Sequence, residues 1–272
     1  MESTSAPTSS ETRLGRRLEA RLGGGGRLLV PYLTAGFPTA DDTPTLMAAI
    51  ARAGADVIEL GVPFSDPLAD GPTIQGSSQV SLEGGGSLTA TLDALRVFRG
   101  DDAETPVIIF TYLNPVFRYG VDAFLEDARE AGADGVLLTD LPLGEDDDLE
   151  AKFEDHPLAL VRLIAPTTPG DRARRIAERA QGFLYYISRT GVTGARSELR
   201  AELEAEVRAL EAAASVPVVV GFGIRSPEQA AAVGRVADGV VVGSALIEAI
   251  EEGGVAAAEA FVGSLREALD RL

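Results

Sequence analysis

From residue 28 onward, short apolar runs alternate with segments whose apolar positions recur at the helical period. The runs are Leu28–Leu33, Val57–Leu60, Val107–Phe110, Gly135–Leu138, Ala159–Ile164, Phe183–Ile187, Val218–Val220 and Gly239–Val242. Most do not alternate with polar residues, as expected of parallel strands covered on both faces. Between them, Leu199, Leu203, Val207 and Leu210 form one helical stripe, and Phe261, Leu265, Leu269 and Leu272 another. Upstream, Leu14, Leu18 and Leu22 mark an extra N-terminal helix that the glycines at 23–26 terminate. A short echo accompanies three strands: AGAD at 53–56, AGAD at 131–134 and VAD at 236–238. Gly54 and Gly132 suit the left-handed end of a helix. Eight strand–helix repeats without an internal linker predict a single-domain α/β fold, a (β/α)8 TIM barrel over residues 13–272. An open doubly wound sheet is the alternative, and the Ser/Thr-rich residues 1–12 are expected to be a disordered tail. In such a barrel the site lies where strands end and loops begin.

Composition narrows the chemistry. The 272 residues contain no Cys and one His, which excludes thiolate chemistry and multi-histidine metal sites. Forty-two acidic against 24 basic residues, a net charge of −18, oppose nucleic-acid binding. No apolar run approaches the ~20 residues of a membrane span, and the first residues lack a signal-peptide core, so a cytoplasmic location is expected. Lys152 is the single lysine and falls in the acidic helical run GEDDDLEAKFED, which argues against Schiff-base catalysis. The acidic, lysine-poor composition fits a salt-adapted (halophilic) surface; a GC-rich genome is the plainer explanation of the arginines. His156, before Pro157, reads as an exposed loop residue.

Three segments carry candidate chemistry. In ELGVPFSDPLADGPTIQ, residues 59–75, Glu59 ends a buried strand and Asp70 follows on a flexible loop. Desolvation raises the first carboxyl's pKa while the second stays ionised, which divides acid and base roles; loop capping is the structural alternative. In YYISRTGVTGARSE, residues 185–198, Gly191 and Gly194 flank Thr193 in what reads as a lid over the site, or as a long turn. GFGIRSPEQ at 221–229 and VVGSAL at 241–246 each place Gly at a strand end, the second running into a helix. Gly223, Gly243 and Ser244 there suit a phosphate cradle built from backbone N–H groups. Tyr32, Phe110, Leu137 and Phe222 lie near strand ends, either as barrel core or as a flat apolar pocket.

These motifs, in this order and spacing, resemble the α subunit of tryptophan synthase from about Leu28 to the C-terminus. The resemblance implies a lyase that splits indole-3-glycerol phosphate into indole and glyceraldehyde 3-phosphate. It also implies an αββα heterotetramer, with indole passing through a tunnel to a pyridoxal-phosphate-dependent β subunit. By motif position Glu59 and Asp70 match the two catalytic carboxylates, and Tyr185 a tyrosine near the reacting centre. Gly194, Gly223, Gly243 and Ser244 match phosphate contacts; Tyr32, Phe110, Leu137 and Phe222 match the indole pocket. The partner surface is expected to include Pro63, Asp66 and Asn114. Neither a metal nor a cofactor is expected of the chain itself. Retro-aldol cleavage otherwise requires a protonated leaving carbon, here indole C3, with Glu59 as proton donor and Asp70 near the indole nitrogen. The weaker alternatives are another phosphosugar barrel, such as indole-3-glycerol phosphate synthase or a histidine-pathway isomerase, and a non-catalytic allosteric subunit.

Overall fold

The structure, a computed structural model, describes residues 10–188, 197–221 and 223–272, with 197–201 by backbone only. Eight parallel strands close into a barrel in sequence order: β1 Leu28–Thr34, β2 Ile58–Gly61, β3 Val107–Thr111, β4 Gly135–Leu138, β5 Ala159–Ile164, β6 Leu184–Ile187, β7 Val218–Gly221 and β8 Gly239–Val242. Nearly every strand residue is buried, because helices cover the outer face and side chains fill the inner one. The helices are α1 Arg13–Gly23, α2 Asp42–Arg52, α3 Pro72–Glu83, α4 Leu88–Asp101, α5 Leu113–Tyr119 and α6 Val121–Glu130. They continue as α7 Asp147–Glu154, α8 Gly170–Glu178, α9 Ser197–Glu211, α10 Pro227–Gly234 and α11 Ser244–Leu269. The predicted strand runs agree with these bounds to within one residue. Val207 and Leu210 of the α9 stripe are buried, as are Leu265 and Leu269 of α11. Leu272, by contrast, lies beyond α11 and is 46% exposed, so the helical stripe ends one turn earlier than the sequence suggests. No helix among the described residues is long and apolar enough to cross a membrane.

The sequence echo pins the strand starts. Asp56, Asp134 and Asp238 each accept a backbone N–H from the preceding strand: Leu29 at 2.9 Å, Val107 at 2.9 Å and Val218 at 2.8 Å. Gly54 and Gly132 precede the first two with φ of +104° and +92°, a region costly for other residues. The extra helix α1 reads the same motif from below. Arg13 donates to Asp134 at 3.0 Å and Arg21 to Asp56 at 2.8 Å, while Leu14 and Leu18 are buried. Arg266 of α11 completes the Asp56 cluster at 3.0 Å. Thr12, inside the stretch expected to be tail, already accepts the Gly15 N–H as the N-cap of α1; residues 1–9 lie outside the described residues.

Candidate active site

A cavity of about 320 Å³ opens at the C-terminal ends of the strands. Its floor is set by register. Tyr32 pairs with Glu59 across β1 and β2, so both side chains take the inward face. Glu59 lines the cavity yet is 1% exposed, more deeply buried than a strand-end position suggests. Burial alone pushes its carboxyl up to about 8, and Oε1 has no hydrogen-bond partner among the described residues. A neutral, protonated carboxyl facing an enclosed space is a proton donor at neutral pH.

Asp70 approaches from the β2–α3 loop and is held there. The Tyr112 hydroxyl donates to Asp70 Oδ2 at 2.9 Å and accepts the Ala69 N–H at 3.0 Å. Gln75 Nε2 donates to the Asp70 carbonyl at 2.8 Å, and the Tyr112 ring lies 5.1 Å from Phe64. The loop expected to be flexible is therefore tied to the junction of β3 and α5 by one buried tyrosine. Desolvation raises Asp70 to about 6, and the Tyr112 hydrogen bond opposes that rise. Asp70 is thus mostly ionised at pH 7 while Glu59 is mostly protonated. Tyr112 is the first site residue that sequence reasoning did not single out. Its strand-end position was visible, but its contact lies 42 residues away and no periodicity encodes it.

Two glycines decide where the tyrosines go. A Cβ on Gly61 would meet the Tyr32 hydroxyl at 2.1 Å, and one on Gly221 would meet the Tyr185 ring at 2.5 Å. Both ring tips therefore occupy the space that a side chain at these glycines would fill, and both tyrosines line the cavity. Tyr32 packs edge-on against Phe110 at 5.2 Å, giving the cavity an aromatic wall. Burial together with the nearby acidic groups holds both hydroxyls well above the usual tyrosine range, hence neutral. Leu137 shares the inward register of Phe110 but is completely buried and is not among the lining residues.

Opposite the carboxylates, Gly223, Gly243 and Ser244 line the same cavity. Gly243 caps α11 without a side-chain hydrogen bond, leaving first-turn N–H groups at this end of the helical segment that runs from Ser244 to a kink at Gly253 and Gly254. Arg225 lines it too and is the second residue that sequence reasoning passed over, although it stands inside the quoted GFGIRSPEQ. Its guanidinium pairs with Glu248 of α11. Gly191, Thr193, Gly194 and Phe222 lie outside the described residues.

On the rim, Asp66 and Asn114 are exposed while Pro63 is buried, so only two of the three expected surface residues reach solvent. Leu68 is 93% exposed and Phe117 55% exposed on the same rim elements, the β2–α3 loop and α5. Lys152 sits on helix α7, exposed and paired with Asp122 at 2.7 Å, and is not among the residues that line the cavity. His156 is half-buried rather than exposed: its Nδ1 accepts the Leu158 N–H at 3.3 Å, and burial lowers its proton affinity.

Comparison with known proteins agrees with this arrangement. The sequence profile of the family described as "Tryptophan synthase alpha chain" matches residues 21–269. The tryptophan synthase alpha chain of Laribacter hongkongensis is 47% identical, over 95% of this chain and 99% of the relative. That of Xanthomonas euvesicatoria is 49% identical, over 91% and 94%. Among solved structures, tryptophan synthase subunit alpha from Legionella pneumophila superposes with a TM-score of 0.88 at 40% identity, over 96% and 99% of the two chains. A chain of tryptophan synthase from M. tuberculosis superposes at 0.86 with 36% identity, over 96% and 99%. With a closed eightfold barrel and this degree of identity over most of its length, the chain belongs to the tryptophan synthase alpha-chain family.

Proposed function

We propose that Glu59 and Asp70 are the acid–base pair with which this chain carries out its family's lyase reaction, cleavage of indole-3-glycerol phosphate to indole and glyceraldehyde 3-phosphate. The observation that carries the assignment is the pairing of two carboxyls of opposite protonation in one cavity, one near 8 and the other near 6. Glu59, protonated, gives its proton to indole C3, and the ring nitrogen takes up the developing positive charge. Asp70, ionised and fixed by Tyr112, stabilises that charge at the N–H. The Glu59 carboxylate then accepts the proton of the hydroxyl on the adjoining carbon. The C–C bond breaks, its electron pair restores the indole, and the carbon bearing the hydroxyl leaves as an aldehyde. One proton enters and one leaves, so Glu59 ends the cycle as it began.

The aromatic wall of Tyr32 and Phe110 takes the flat ring, with Tyr185 over the reacting bond. Gly223, Gly243 and Ser244 take the phosphate at the α11 N-terminus, some of whose N–H groups have no helical acceptor. Gly194, Phe222 and a lid containing Thr193 are assigned to the same site on the motif alone. The exposed rim of Asp66, Leu68, Asn114 and Phe117 is the surface for a β subunit in an αββα assembly, since two large exposed apolar side chains flank it. The acidic excess, −18 overall, fits a chain that works in salt. The test is to measure indole and aldehyde release together with glycerol phosphate affinity. Glu59→Gln and Asp70→Asn should each lose at least ~10²-fold in turnover while retaining phosphate-ligand binding. Near-normal turnover in Glu59→Gln overturns the acid–base assignment.

A further inference from the structure

Arg225 is the one cation among the described residues that line the cavity, whose ionisable carboxyls are Asp70, mostly ionised, and Glu59, mostly neutral. A doubly charged phosphate entering that space meets the Asp70 carboxylate, so a cation at the phosphate end has a disproportionate effect on binding. The arginine is engaged elsewhere in this structure. Its guanidinium pairs with Glu248, whose Oε1 also accepts from Thr73 of α3 at 3.4 Å. Glu248 lies four residues beyond Ser244, hence one helical turn from the α11 N-terminus, on the same face. A carboxylate there opposes an anion at the helix start. The pair is half in solvent, with side-chain exposures of 51% and 33%. Exposed ion pairs of this kind contribute little and are exchanged readily, whereas guanidinium–phosphate bonds are charge-assisted and two-pronged.

From this juxtaposition we propose that Arg225 is a phosphate-binding residue that leaves Glu248 for the substrate's phosphate, with Glu248 acting as the competing anion that sets the affinity. The inference rests on the phosphate end of the cavity being where proposed above. Occupation of the site moves the guanidinium from the α11 side of the rim to the cavity mouth, a short rotation of a flexible side chain. It also frees Glu248 to keep only its contact with Thr73, so the β2–α3 segment that carries Asp70 stays tied to α11 while substrate is bound.

The experiment is calorimetric titration of the full chain with glycerol phosphate and, separately, with indole. Wild type, Arg225→Gln, Glu248→Gln and the double variant are compared. Arg225→Gln should weaken glycerol phosphate by about tenfold or more, the effect of one charge-assisted hydrogen bond, and leave indole affinity as in wild type. Glu248→Gln should bind glycerol phosphate at least as tightly as wild type, because the arginine loses its competitor. The double variant should remain as weak as Arg225→Gln. If the double variant returns to wild-type affinity, Arg225 only neutralises Glu248 and the proposal falls. If Arg225→Gln binds like wild type, or both single variants weaken equally, the pair is a structural clamp and the proposal falls as well. Failure of the wild type itself to bind glycerol phosphate would instead overturn the placement of the phosphate end.

Discussion

Replacing Glu59 by Gln should make the protein more stable at neutral pH while removing its activity. In the folded chain the carboxyl titrates near 8, against an ordinary value of about 4.5, and burial is the cause. Between those two values the unfolded chain has released the proton that the folded chain still binds. The contribution of Glu59 to stability is therefore fully present below about pH 4.5 and is lost as pH rises towards 8. One proton costs about 1.4 kcal/mol per pH unit, so from pH 5 to pH 7.5 wild type should lose about 3 kcal/mol on account of this residue. Gln has no proton to release and escapes that loss. At pH 5 the variant starts at a disadvantage, since its extra N–H donor is buried beside an atom position that has no partner, at a cost of about 1–3 kcal/mol. The two stability curves should then cross. Urea unfolding of both proteins at pH 5, 6, 7 and 7.5 gives the difference directly, and other titrating groups, Asp70 included, largely cancel in it. A difference that stays flat within about 0.5 kcal/mol across the series refutes the claim that burial holds Glu59 protonated. The expected outcome is a site that carries its own destabilisation as a condition of catalysis.

Removing the Tyr112 hydroxyl with Tyr112→Phe takes away a hydrogen bond that favours ionised Asp70; the acid limb of kcat should move from near 6 to higher pH, by up to about one unit, and an unmoved limb refutes the role. Asp56→Ala deletes the shared acceptor of Arg21, Arg266 and the Leu29 N–H. It should cost about 3–5 kcal/mol in chemical denaturation because buried Arg266 keeps only the half-exposed Asp270 and the Leu29 N–H loses its side-chain acceptor, and a loss under about 1 kcal/mol contradicts that account. The melting temperature should rise as salt is added from low ionic strength, through screening of the −18 charge over ~10 Å at ~0.1 M; a flat or falling midpoint favours the codon-bias explanation. Asn114→Lys should weaken co-elution with a cognate β subunit, and unchanged co-elution removes α5 from the partner surface.

The sequence alone was enough for the elements of the barrel, because a strand covered on both faces must be a short apolar run and a covering helix must carry a stripe. Gly54 and Gly132 were legible for the same kind of local reason: a helix that turns back into a sheet needs a positive φ there. Glu59 was legible as a carboxylate inside an otherwise apolar run, a local anomaly, and Asp70 as an acid on the Pro/Gly-bounded loop that follows it. The direction of their protonation was legible too, but not its extent. That extent depends on how deeply register partners sink Glu59 and on a tyrosine 42 residues from Asp70, both products of strand pairing. The same holds for Asp56 and Asp134, which repeat visibly in sequence but acquire their arginines only when α1, α4 and α11 pack around the barrel. Tertiary packing also withdrew Pro63 from the surface and sank Leu137 out of the cavity lining. Likewise, it joined Arg225 of the β7–α10 loop to Glu248 of α11. Local sequence fixes φ, period and the residue types on offer; barrel closure alone brings distant carboxylates, hydroxyls and guanidinium groups within reach of one another, and that proximity sets their charge.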